Sequence, residues 1–168
     1  YEISLGLVGS EMCIRDSYRD ANIDSNIYEA VLAVSPNSPL DFHHRVDALN
    51  EFIKSKNSKS LIESNKRIAN ILKDSDEKQE VLNEEMLIED SEKALFNAAE
   101  SLSKELTGGN NYKEIMKSLI EIKDLIDSFF DNVMVNVEDK KVKSSRLALI
   151  RRVRHLFLSV ADISYLSS

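Results

Sequence analysis

The stretch SSRLALIRRVRHLFLSVADI, residues 144–163, decides the fold. On a wheel at about 100° per residue, Leu149, Ile150, Val153, Leu156, Phe157 and Val160 gather on one face. Arg151, Arg152 and His155 lie opposite. That division predicts an amphipathic helix over 144–163, with its apolar stripe on a core and a cationic flank turned to solvent. Arg146 falls inside the stripe. A guanidinium buried without a partner is costly, so the position requires a carboxylate. Asp131, which precedes the alternating run 133–137, is the expected partner. Arg146 and Asp131 are therefore read as a structural ion pair.

Working outward, helical spacing recurs along the chain. Ile23, Ile27, Val31 and Val34 share a face that Pro36 terminates. Ser38-Pro39-Leu40-Asp41 is a helix start: a hydroxyl to accept a free amide, a proline for the first turn and an acid for the dipole. Phe42, Val46, Leu49 and Ile53 continue that helix, and a polar break at 55–58 ends it. Over 59–73, Leu61, Ile62, Ile68, Ala69, Ile71 and Leu72 form a stripe, with Asn65 inside it and Lys66, Arg67 and Asn70 turned away. The acidic stretch 74–90 reads as a connector with one helical turn. Leu95, Ala98, Ala99, Leu102 and Leu106 mark a helix stopped by Thr107-Gly108-Gly109-Asn110. Ile115, Leu119, Ile122, Ile126, Phe129 and Phe130 mark another. Residues 133–137 have no partner strand and read as an extended connection. The expectation is an all-α bundle of about five to six helices.

Composition bounds the function. At 168 residues and 42% hydrophobic, the chain can build one core. Four glycines, two prolines and no tryptophan exclude collagen-like and Gly/Pro-rich disordered classes. A single cysteine excludes a disulfide scaffold or a Cys-rich zinc module and fits a reducing compartment. No apolar run reaches the roughly 18 residues of a membrane span, which leads us to expect a soluble, cytoplasmic protein with no membrane partner. Twenty-two basic against 29 acidic residues give a net charge of −7. That argues against a general nucleic-acid binder and against DNA as a partner, but leaves room for a local basic patch.

Residues 1–17, YEISLGLVGSEMCIRDS, differ from the rest: they show neither helical nor strand periodicity and hold two of the four glycines. They resemble a translated adapter peptide found at the ends of metagenome-derived proteins. The expected division is therefore an artefactual 1–17 and a helical domain over 18–168, the latter a C-terminal piece of something longer. A genuine N-terminal strand is the alternative.

No glycine-rich phosphate loop, CxxC, HExxH or nucleophile elbow occurs, and there are only three histidines. Asp41, His43 and His44 invite a metal reading. Adjacent histidines on a helix point about 100° apart, however, and cannot both meet Asp41. No metal site, no bound cofactor and no catalytic residue is expected in this chain.

Several phrases together carry a resemblance: YEAVLAV (28–34), HRVDAL (44–49), NKRIANIL (65–72), FFDNVMV (129–135), RLALIRRVRHLF (146–157) and VADIS (160–164). In this order they resemble the C-terminal part of the β subunit of the bacterial tetrameric glycine–tRNA ligases. The resemblance implies a helical anticodon-binding domain of the DALR type. It further implies a parent aminoacyl-tRNA synthetase that attaches glycine to its tRNA using ATP and magnesium. Such an enzyme has two α and two β subunits, with the aminoacylation site on α and tRNA recognition on β. On that reading Lys66, Arg67, Asn70, Arg151 and Arg152 are the expected tRNA contacts. The alternative is a helical scaffold that docks onto the α subunit or other β domains without touching the anticodon.

Overall fold

Most helices in this chain begin where a side chain satisfies the first free amides. The computed structural model describes residues 13, 16, 17, 20, 23–75, 81–108 and 111–167. Asp24 accepts from the N–H of Asn26 and opens α1, Ser25–Leu32. Ser38 accepts from the N–H of Asp41 at 3.1 Å, and with Pro39 in the first turn it opens α2, Pro39–Phe52. The hydroxyl of Ser58 donates to the carbonyls of Ile53 and Ser55, closing the turn into α3, Ser58–Lys73. After the connector come α4, Asp90–Glu105, and α5, Tyr112–Glu121, the latter capped by Asn111. α6 is Lys123–Asn132, and α7 is Lys140–Leu158. Single 3-10 turns occupy Glu84–Met86, Leu106–Gly108 and Ile163–Tyr165.

The all-α expectation holds, and no strand occurs among the described residues. The connection at 133–137 is irregular, as the unpaired alternating pattern predicts, and the acidic connector carries its one helical turn at Glu84–Met86. Two details differ. The helix expected across Ile115 to Phe130 is two helices meeting at Ile122, whose φ of −81° and ψ of 0° bend the chain. The bend lets α5 pack on α2 while α6 packs on α3 and α4. The last helix starts at Lys140 because the carboxylate of Asp139 accepts from the N–H groups of Lys141 and Val142. The division at residue 17 falls almost wholly outside the described residues.

α7 is the centre, touching α3, α4 and α5. Its whole apolar wheel face, from Leu149 to Val160, is buried. Phe52, Leu61, Ile68, Leu95, Ile126 and Phe129 complete a single core with it. The final turn, Ile163–Tyr165, packs on α1 and α3, and the N–H of Asp162 donates to the carbonyl of Ala30 at 2.8 Å. The chain's last described residues are thus fastened to α1.

Candidate nucleic-acid interface

Arg146 is buried at 7% exposure, but its partner is not Asp131. Glu92, in the first turn of α4 and 0% exposed, accepts from Arg146 Nε at 2.5 Å through one carboxylate oxygen. Its other oxygen accepts from the N–H groups of Ile88 and Glu89, both at 2.8 Å. Asp131 lies exposed near the end of α6. Glu92 was hidden from a sequence reading because it ends a run of acids that resembles a solvated surface. The signal that could have found it is its place three residues after Glu89, where a carboxylate can turn back to cap the helix. Arg146 uses a second nitrogen to donate to the carbonyl of Met134 at 2.8 Å. The buried pair therefore fixes the link between α6 and α7.

That link forms one wall of an open groove of about 400 Å³, lined by Arg67, Ile71, Asp74, Met134, Lys143 and Leu147 among others. Met134 stands 71% exposed in it. Of the five expected contacts, α3 brings Lys66, Arg67 and Asn70 to one edge, with Arg67 and Asn70 exposed and Lys66 half-buried. The Arg67 guanidinium lies over the Phe130 ring, 4.3 Å from its centroid. No carboxylate pairs with Lys66, Arg67 or Lys143 among the described residues.

Arg151 and Arg152 sit elsewhere. Arg152 is ion-paired with Glu100 of α4, and Arg151, half-buried, also has an interaction partner. Neither lines the groove. The wheel placed both opposite the stripe; it could not show that α4 supplies an acid there.

A second cavity, on the Phe130 side of Arg67, includes Asp127 and Asp131. Asp127 is answered by Lys123 at 2.6 Å and by the hydroxyls of Ser60 and Ser64. The hydrogen bonds to Asp127 and Asp124 push the Lys123 ammonium above its ordinary pKa. Asp127 is thus largely neutralised, while Glu63 and Asp131 also line this cavity.

Two further arginines, not singled out by the sequence, are structural. Arg45 on α2 donates to the carbonyls of Ser159 and Val160, both at 2.8 Å, and to Asp41 at 3.1 Å. Its guanidinium lies 4.4 Å from the centre of the Tyr112 ring, and the Tyr112 hydroxyl donates to Asp41 at 2.5 Å. Burial favours the neutral acid at Asp41, but hydrogen bonds from Tyr112, Asn37 and Arg45 outweigh it and hold the carboxyl below its usual range. Burial and the bond to Asp41 push the Tyr112 phenol upward. Arg154 donates to Asp162 at 2.8 Å and to Asn65 at 2.7 Å. The side-chain oxygen of the buried Asn65 is thus occupied by a guanidinium from α7. His43 faces Asp47 at 3.5 Å, so Asp41 and His43 serve different partners. No group of three metal-ligating side chains occurs among the described residues.

With this geometry in place, known proteins supply a comparison. The sequence pattern of the DALR anticodon binding domain matches residues 61–164, from α3 to the final turn. The glycine–tRNA ligase β subunit of Pseudomonas aeruginosa (strain LESB58) is 40% identical over 157 residues, covering 91% of this chain and 23% of that protein. Those of Hahella chejuensis (strain KCTC 2396), 38% identical over 156 residues, and Aliivibrio fischeri (strain MJ11), 40% over 153, match to a similar extent. They cover 90% and 89% of this chain, and 22% of each relative. The chain thus spans under a quarter of the length of these relatives. Because the matched region takes in 104 residues, well over half of the chain, and includes the helices that build the groove, the protein belongs to the DALR anticodon-binding domain family.

Proposed function

We propose that this domain is the tRNA-recognition module of the β subunit of a glycine–tRNA ligase, an aminoacyl-tRNA synthetase. The observation that carries the reading is the family match over 61–164, which contains Lys66, Arg67, Asn70 and Lys143, none of whose cations is ion-paired to a carboxylate among the described residues. In such a role, cations on that edge bind phosphates and fix the orientation of the RNA, while groove contacts read its bases. The net charge of −7 confines the RNA to this side, because the rest of the surface repels it.

Chemistry is assigned elsewhere. Asp41, Glu92 and Asp162 are each engaged by an arginine, which leaves these buried or half-buried acids unsuited to holding magnesium or the magnesium-bound phosphates of ATP. Glycine, ATP and magnesium accordingly belong to the α subunit of the cytoplasmic α2β2 enzyme. This chain's part is to hold the tRNA for glycine. Residues 1–17 are proposed as adapter-derived and outside this role.

Filter binding of a glycine tRNA transcript at two salt concentrations tests the reading. Lys66→Glu with Lys143→Glu should weaken binding and flatten the salt dependence by about 0.7–0.9 in log–log slope for each phosphate no longer neutralised. A chain that binds no tRNA at either salt concentration overturns the proposal and leaves the docking role.

A further inference from the structure

The groove beside Arg67 has a chemical character that phosphate binding does not use. Its floor is apolar, from Ile71 and Leu147. A largely exposed thioether, Met134, stands on one wall. Arg67 and Lys143 add positive charge, and Asp74 contributes a single carboxylate. Arg67 lines both this groove and the neighbouring cavity, whereas Phe130 lines only the latter. The Arg67 guanidinium carbon lies 4.3 Å from the Phe130 ring centroid, and the same side chain also lines the groove. The link bearing Met134 is fixed from beneath by Arg146, so the wall is formed before any ligand arrives.

From this we infer that the groove seats one unstacked base of single-stranded RNA, held between the Arg67 guanidinium and the Met134 side chain. Every base has a π-face that can stack on a guanidinium plane, and such stacking does not require a duplex. Lys143 neutralises a flanking phosphate. Asp74 accepts from a base amine, which favours a base carrying an exocyclic NH2 over uracil. A duplex is excluded, because its bases are stacked and paired and cannot turn a face into the groove. A phosphate alone would gain nothing from the apolar floor or from Met134.

This inference rests on the tRNA-recognition reading and gives its anticodon loop a specific point of contact. The test uses the whole chain and a synthetic anticodon stem-loop of the glycine tRNA, with an abasic residue placed at each loop position in turn. Wild type should lose about tenfold in affinity at one position, the size expected for removing a stacked base. Met134→Ala, a change at an exposed side chain, should reduce that loss to about twofold or less. Arg67→Lys keeps the charge but removes the plane, so affinity should fall while the salt dependence stays as it was. If the stem-loop binds but no abasic loss depends on Met134 or Arg67, the base seat is overturned and tRNA recognition stands. If neither stem-loop nor full tRNA binds wild type, the recognition reading fails and takes the base seat with it.

Discussion

Arg146 and Glu92 show how a single position is governed by a residue 54 places away in the chain. With Glu92 fully buried, removing its cation leaves a carboxylate that water cannot reach. Arg146→Ala should therefore cost about 3–5 kcal/mol in urea unfolding, and a loss below about 1 kcal/mol would show that the pair is not needed. The need for a partner was legible from an arginine in an apolar stripe; its identity was not, because helix periodicity gives faces and not neighbours. Asp41 offers a test by pH. Its carboxyl is held below the ordinary 3.8, so the folded state favours its ionised form. That contribution is complete above the unfolded value and fades as pH falls through the lower folded one. Thermal melts of wild type should lose stability across this acid range, whereas Asp41→Asn should lose less of it on acidification and be less stable near neutrality.

At the scale of elements, α7 is closed at both ends by groups from outside its helical turns. Asp139 answers its first amides, and Arg45 of α2 answers the carbonyls of Ser159 and Val160. Hydrogen bonds to charged groups contribute about 1.5–3 kcal/mol net each where they are shielded from water. Arg45→Met, which keeps much of the aliphatic stem, should lower the melting temperature and speed amide exchange over 159–166. Exchange unchanged in that segment would mean that Arg45 is not needed to hold the final turn, leaving it to the Ala30 and Arg154 bonds of Asp162 and to burial. The break at Ile122 was invisible in the sequence because the apolar spacing of Ile115, Leu119, Ile122 and Ile126 runs through it without a fault. Two packing partners, α2 on one side and α3 with α4 on the other, turn one periodic pattern into two helices. By contrast, the connection at 133–137 was readable, since a lone alternating run has nothing to pair with.

For the whole molecule, the all-α class followed from repeated 3.6-residue spacing, and the quoted phrases pointed to the family that the match over 61–164 shows. The interface was legible only in part. Lys66, Arg67 and Asn70 face outward as the wheel of α3 requires, but Arg152 is taken up by Glu100, and Met134 from the α6–α7 link and Lys143 from the first turn of α7 come together in the groove only through tertiary packing. The side of the molecule that carries open positive charge is thus settled by tertiary pairing and not by composition. The stitching of Ala30 to Asp162 and of Arg45 to the end of α7 has a practical corollary. A piece excised at Leu61, where the recognised family pattern starts, would keep every residue of that pattern. It would also shed α1 and α2, strip the cover from α5 and the closing turn, and leave an interior designed for close packing open to water.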